Sequence, residues 1–349
     1  MPLTIVVGTG RCGSTMLSRM LEMHPDVLSL SEFWNLFLDN GGYIPTHAMT
    51  GDEFWRRLAD PAPAYDGLVL ARIKQDDEID PAITRFDYHA GMPSLFRVLA
   101  PLTSDPDSLY DALAPSVTAW PQRPLAEHCR ALFGELAARL GRSVVVERTG
   151  GGLDKTQLLR EQFPEARFVF MHRNGPDCAL SMSRYPTVRL SALRNLAEAV
   201  SGPAPDLDLL PAEIRTVRSS DFDGLIDPPF DRERFWSFPI PLTYFGGIWS
   251  AVTRTGTREI RLIPQDRWTT LRYERLLADP SAELTRLAGF IGIPADRQWL
   301  DKTSAFADPG RTGSAVAKLH PSDVAELRAA CAAGTRAFDL LESEAMATA

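Results

Sequence analysis

The chain has 349 residues, 44% of them hydrophobic and 23% charged, an ordinary globular composition that excludes collagenous, low-complexity and wholly disordered classes. Acidic residues outnumber lysines and arginines by 45 to 37, for a formal charge of −8. That balance speaks against a nucleic-acid coat or a binder of anionic membranes, so neither is expected as a partner.

In chain order, Leu3 to Val7 is a β-branched run closed by Gly8, which predicts a buried parallel strand. The run lacks the basic start and longer apolar stretch of a signal peptide, so a cytoplasmic protein is expected. Apolar Met16, Leu17, Met20 and Leu21 predict a helix from Ser14 to Met23, stopped by Pro25; Val27 to Leu30 follows as a strand. Further strands are predicted at Ser143 to Val146, Arg167 to Met171 and Thr269 to Arg272, with helices at Lys155 to Phe163 and Pro280 to Ile291. This alternation predicts an α/β protein: a P-loop-like three-layer fold with a central, mostly parallel sheet flanked by helices. No run of ~18 apolar residues predicts a membrane span.

Residues 40–142 and 186–245 fit the pattern poorly. The first is helical or irregular with many Pro and Asp residues, and in the second Gly202-Pro-Ala-Pro205 and Asp227-Pro-Pro-Phe-Asp231 break any regular element. Long stretches of this kind usually form lids or binding loops. A single domain over 1–349 carrying two ligand-binding insertions is therefore expected. Cys12, Cys129, Cys178 and Cys331 form no Cys-x-x-Cys pair, and the six histidines show no His-x-x-x-His spacing, so no metal site is expected.

Gly8-Thr-Gly-Arg-Cys-Gly13 follows the first strand and opens the first helix. It matches the Gly-x-Gly-x-x-Gly of a dinucleotide fold, with Glu32 near the ribose-acid position. It nearly matches a nucleotide-triphosphatase loop too, but Ser14 stands where that loop needs its lysine. Every such reading relies on backbone N–H groups curling around an anion at a helix N-terminus. The plain alternative is a tight turn. Arg11 inside the loop, with hydroxyls Ser14 and Thr15 on the first helical turn, suits a tetrahedral ester anion better than a pyrophosphate bridge.

Here the sequence resembles the nucleotide-dependent sulfotransferase superfamily, in its bacterial, carbohydrate- or natural-product-type branch. The loop Gly10-Arg-Cys-Gly-Ser-Thr15 is similar to that family's 5′-phosphosulfate loop, with Arg11 at its Lys/Arg position. The segment from Phe168 to Ser181 is similar to the 3′-phosphate segment: a strand, then Arg173, then Ser181 on the next helix. The segment from Thr270 to Pro280 looks like a third family segment and its following helix, most of it structural, with Tyr273 an adenine neighbour. Gly310-Arg-Thr-Gly313 resembles the C-terminal Arg-Lys-Gly loop that closes over the 3′-phosphate, bringing in Arg311, Thr312 and Gly313. Thr312 replaces the lysine, so one cation is missing.

The resemblance implies 3′-phosphoadenosine 5′-phosphosulfate as sulfuryl donor, its bisphosphate as product, no metal, and a small-molecule hydroxyl acceptor, with an amine as a lesser alternative. It implies in-line transfer, with Arg11 beside the bridging oxygen where leaving-group charge grows. The acceptor hydroxyl needs a base. Phenol and steroid members use a histidine after a central strand, but Glu147-Arg-Thr-Gly150 has glycine there. Carbohydrate-type and several bacterial members carry a glutamate after the second strand, and Leu30-Ser-Glu-Phe-Trp34 supplies Glu32. Phe33 and Trp34 are expected to desolvate its carboxylate; the plainer reading is a salt-bridged or helix-capping glutamate. Arg148 is expected to add charge beside the sulfuryl oxygens, or else to pair with Glu147. An NAD(P)-dependent oxidoreductase and a non-catalytic nucleotide-binding protein are the alternatives. Acceptor identity and oligomeric state are not encoded in any motif.

Overall fold

Five strands make the central sheet: β1 (Leu3–Gly8), β2 (Val27–Ser31), β3 (Val144–Thr149), β4 (Arg167–His172) and β5 (Trp268–Arg272). The computed structural model describes residues 1–39, 44–74, 84–201, 217–308, 310 and 312–347. Every neighbouring pair is parallel, in the order β2-β3-β1-β4-β5. Each predicted strand is present, and β3 runs on to Thr149, past the apolar run read from sequence. That extension carries Glu147 and Arg148 to the end of the sheet.

Side chains alternate between the two faces. On one face, Val6, Val146, Val169 and Leu271 pack against Leu17, Met20 and Leu21 of the helix Ser14–Glu22 and against Leu284, Leu287 and Ile291 of the helix Pro280–Ile291. On the other, Ile5, Val7, Leu30, Val145, Phe168 and Phe170 pack against the helix Leu125–Arg139 and against Ile260 and Phe338. Two apolar faces, each covered by helices, make a three-layer α/β fold. Ile260 and Phe338 end or lie within the long helices Leu242–Ile260 and Pro321–Ala347, neither of which the sequence reading placed.

The strand order overturns the nicotinamide alternative. A dinucleotide fold sets its second strand directly beside its first. Here β3 lies between β1 and β2, so Glu32, just past β2, cannot serve as the ribose acid of a loop on β1. The two stretches that fit the pattern poorly are largely helical where described, including Pro63–Leu70, Pro106–Thr118 and Pro186–Ser201. Gly202-Pro-Ala-Pro205 lies outside the described residues. The helix Pro186–Ser201 packs Leu190, Leu193 and Leu196 with Leu68 of the helix Pro63–Leu70, so the two insertions meet each other. No helix among the described residues is long and apolar enough to cross a membrane.

Candidate active site

The glycine loop leaves β1 and turns at three left-handed residues: Gly10 (φ 77°), Arg11 (φ 57°) and Gly13 (φ 91°). Gly10 donates its N–H to the Gly150 carbonyl, which ties the loop to the end of β3. Gly13 begins the helix Ser14–Glu22 with no side-chain cap, and Ser14, Thr15 and Met16 of its first turn line the cleft. A Cβ on Gly13 would stand 2.2 Å from Tyr273 Cδ2, so only glycine lets that ring close the loop. Thr9, Gly10, Arg11, Gly13, Ser14 and Thr15 all line one cleft of about 900 Å³. Cys12 does not: its side chain is fully buried, and a Cβ on Gly8 would lie 2.5 Å from its Sγ. Burial pushes the Cys12 thiol up and the Cys178 thiol to about 12, so neither is a nucleophile at neutral pH.

Arg173 leaves the end of β4, donates from Nη1 to the Arg11 carbonyl at 3.3 Å, and lies 4.8 Å over the Tyr273 ring. Arg11 donates from Nε to Ser181 Oγ at 3.2 Å and stacks 3.9 Å over Tyr185. Arg11, Arg173, Ser181 and Tyr273 therefore lie together, and Arg173 and Ser181 were brought to one place by their strand-to-helix spacing. Beside them is a smaller pocket of about 200 Å³, lined by Arg11, Arg173, Arg184 and Lys318 with no carboxylate among its lining residues. Sequence reasoning missed Tyr185, Arg184 and Lys318. Lys318 ends the short helix Ser314–Lys318, just past the loop in which Thr312 replaces a lysine, and it puts a cation back into the cluster.

Thr312 lines the cleft, whereas Arg311 lies outside the described residues. Gly313 differs from the expectation of a phosphate contact. Its N–H donates to Asp177 Oδ2 at 2.8 Å and the Ala315 N–H donates to Oδ1 at 2.7 Å. A buried carboxylate on the helix bearing Ser181 thus already holds the N-terminus of this closing segment.

Glu32 follows β2 in a left-handed conformation (φ 59°), rare for a residue with a side chain. Held strain of this kind is common at functional sites. The Glu32 N–H donates to the Arg148 carbonyl at 2.7 Å, and the Glu32 carboxylate accepts from Arg148 Nη1, from Asn35 Nδ2 at 2.7 Å and from the Gly150 N–H at 3.3 Å. Its side chain keeps 32% exposure toward the cleft, against 3% for Arg148. The salt-bridged glutamate of the plainer reading is therefore present, and it lines the cleft as well.

Two expectations change here. Phe33 and Trp34 do not desolvate the carboxylate, because both rings are buried in the core, edge-on to Phe133 and each other. Arg148 does not line the cleft: Nε donates to Ser18 Oγ at 2.9 Å, Nη1 to Glu32 and Nη2 to Ser31 Oγ at 3.0 Å. It is a positioning residue for Glu32. Nor does it pair with Glu147, which points to the opposite face of β3 and accepts from Thr149 Oγ1 at 2.6 Å. His172 is buried and stacked 3.5 Å from Phe338, a core residue as expected.

Gly150 stands where other branches of the resembling superfamily carry a histidine. A Cβ there would lie 3.1 Å from both Glu32 Oε1 and Ser14 Oγ. A side chain at 150 and the Glu32 carboxylate thus compete for the same space. Gly150→Ala is expected to displace Glu32 and lower turnover roughly tenfold or more, since small misplacements of reacting groups are costly. Steady-state kinetics on any accepted acceptor checks this; an unchanged rate would mean that Glu32 placement is not critical.

An α/β protein with an uncapped glycine loop at the head of its first helix, arginines beside it and a part-exposed carboxylate in the same cleft is the class this fold and cleft define. The chain belongs to the sulfotransferase family, whose model matches residues 2–201 and so spans Arg11, Glu32, Arg148, Arg173 and Ser181. That membership makes the protein a sulfotransferase. Similar solved structures include the sulfotransferase domain from the curacin biosynthetic pathway (12% identity, 94% of this chain and 97% of that one, TM-score 0.48). The sulfotransferase domain from the Synechococcus PCC 7002 olefin synthase is 16% identical, over 95% of this chain and 94% of that one, with a TM-score of 0.47. A sulfotransferase from Alicyclobacillus acidocaldarius is 15% identical, over 98% of this chain and 96% of that one, with a TM-score of 0.44. No curated protein matches the chain significantly.

Proposed function

We propose that this sulfotransferase moves a sulfuryl group from 3′-phosphoadenosine 5′-phosphosulfate to a hydroxyl of a small molecule. The observation carrying the reading is that one cleft joins the uncapped helix N-terminus and its arginine cluster to the Glu32 carboxylate. The residues present fit such a donor. The loop Gly10–Thr15 offers N–H groups and two hydroxyls to a phosphosulfate, and the acid-free pocket of Arg11, Arg173, Arg184 and Lys318 suits a second phosphate. Tyr273, packed against Gly13 and under the Arg173 guanidinium, lines the cleft beside that loop.

The donor supplies an activated sulfuryl group; the protein supplies position, charge and a proton acceptor. Arg11 and the helix N-terminus hold and stabilise negative charge on the leaving side. Ser181 and Tyr185 fix the Arg11 guanidinium while the left-handed backbone aims it. On the other side, Glu32 takes the proton from the acceptor hydroxyl, with Arg148 and Asn35 orienting its carboxylate. The helices of the two insertions wall the acceptor half of a single domain.

Calorimetric or thermal-shift titration of adenosine 3′,5′-bisphosphate against NAD and NADP tests the donor assignment. Stabilisation by the bisphosphate alone is expected, and stabilisation by NAD alone would refute it. Arg173→Ala is expected to cost a few kcal/mol of bisphosphate affinity, the loss of a charged hydrogen-bonded contact. Lys318→Ala should weaken bisphosphate binding several-fold while leaving adenosine 5′-monophosphate affinity unchanged. Equal loss for both nucleotides would place Lys318 elsewhere than at the second phosphate.

A further inference from the structure

We propose that Thr149, with its hydroxyl oriented by Glu147, is a positioning residue for Glu32, a role that rests on Glu32 being the proton acceptor. The Thr149 hydroxyl holds the left-handed turn that carries the Glu32 carboxylate to the cleft. The buried carboxyl of β3 thereby gains a use. Glu147 is fully buried and lies in register between Ile5 of β1 and Leu30 of β2, a place that suits an aliphatic side chain. A polar group is retained in such a place only with a hydrogen bond, and Glu147 Oε1 accepts one from Thr149 Oγ1 at 2.6 Å.

That hydroxyl is the second of two anchors on the Glu32 turn. Glu32 holds φ 59°, which a residue with a side chain keeps only where its surroundings over-determine it. The Glu32 N–H donates to the Arg148 carbonyl at 2.7 Å, just past the last β2–β3 register pair, Ser31 with Arg148. Two residues on, the Trp34 N–H donates to Thr149 Oγ1 at 3.2 Å. The backbone on both sides of the Glu32 Cα is thus tied to the end of one central strand, which leaves that residue little freedom.

A hydroxyl carries one proton and can accept as well. Because the Thr149 proton goes to Glu147, its oxygen is left to accept from Trp34. Trp34 is only 1% exposed, so its N–H has no solvent to turn to if that oxygen is removed. Arg148, on the opposite face of β3, and the Gly150 N–H grip the carboxylate itself. The end of β3 therefore fixes both the backbone and the side chain of Glu32.

Thr149→Val keeps the shape of the side chain and removes the oxygen, leaving the buried Trp34 N–H unpaired. Turnover is followed as release of adenosine 3′,5′-bisphosphate from the donor, with 1-hexanol and water as acceptor probes. It should fall about tenfold or more in Thr149→Val, since small misplacements of reacting groups are costly. Donor KM and calorimetric affinity for the bisphosphate should stay at parental values, and Thr149→Ser should restore most of the rate. Glu147→Met should lose rate several-fold and Glu147→Gln regain it; this pair decides the matter if Thr149→Val does not fold. Parental turnover in Thr149→Val or Glu147→Met, or a serine variant as slow as the valine one, would overturn the proposal. Bisphosphate affinity falling in step with turnover would do the same. A crystal structure of Thr149→Val reads the positioning directly: Glu32 should leave its left-handed conformation, and an unmoved Glu32 would overturn the proposal whatever the rates. Near-normal turnover in Glu32→Gln would instead overturn the base reading.

Discussion

Glu32→Gln is expected to lower turnover by ~10²–10⁴-fold, the usual worth of a positioned general base, while leaving affinity for adenosine 3′,5′-bisphosphate nearly unchanged. The amide keeps the shape of the side chain, and its oxygen can still accept from Arg148 Nη1 and the Gly150 N–H. What it loses is the ability to take a proton. Arg148 complicates the experiment, because its side chain is only 3% exposed and Glu32 is its charged partner. Leaving a buried charge uncompensated can destabilise a fold by about 3–5 kcal/mol. The melting temperature and bisphosphate affinity of the variant are therefore measured beside its rate. Glu32→Asp supplies the control, since it keeps the charge but withdraws the carboxylate by one methylene. A large rate loss in both variants, with nucleotide affinity intact, is the expected pattern. Near-normal turnover in Glu32→Gln would move the base elsewhere. Loss of nucleotide affinity would make Glu32 a donor-binding group.

The half of the cleft around the glycine loop was legible because its signals are local. Parallel strands buried on both faces read as short, largely apolar runs, β-branched in β1, Val/Leu with serines in β2 and aromatic in β4, and each is followed at once by a candidate site residue. Arg11, Arg173 and Ser181 could be placed together because a strand end and the next helix share one edge of the sheet. The insertions were harder to read, and proline is the reason. Pro63, Pro106, Pro186, Pro280 and Pro321 each begin a helix, where the missing N–H costs nothing. Four of these prolines lie where no helix was placed. Only Pro280 stood before a pattern strong enough to show its helix.

Other site residues left no motif to find. Asn35 grips Glu32 from three residues along, a spacing that means nothing until Glu32 is known to turn back in a left-handed conformation. Ser18 and Ser31 hold Arg148 from a different helix and strand. Lys318 enters the arginine cluster because Asp177 pins the start of its helix, a contact across 136 residues. Long-range contacts of that kind are set by packing and have no sequence period.

Glu147→Gln is expected to make the protein more stable than the parent at pH 8, and progressively less so as pH falls toward 5. Glu147 sits in register between Ile5 of β1 and Leu30 of β2 and is fully buried. One oxygen accepts from Thr149 Oγ1, whose oxygen accepts from the Trp34 N–H at 3.2 Å. Its other oxygen meets no hydrogen-bond partner among the described residues. Burial, reinforced by the nearby Glu32 carboxylate, raises this carboxyl from 4.5 to about 8. Between those values the unfolded chain has released a proton that the folded chain keeps. The contribution is fully present below pH 4.5 and is lost as pH rises through about 8. Glutamine is neutral throughout, so the melting-temperature difference between variant and parent should grow across that window and then level off. For a shift of this size the difference amounts to a few kcal/mol. Buried His128 and His172, both lowered by desolvation, lose stability in acid in both proteins and cancel from the difference. A difference that stays flat from pH 5 to 8 would show that the folded protein already holds Glu147 ionised. The turn bearing Glu32 would then rest on a buried negative charge, through Thr149 and the Trp34 N–H.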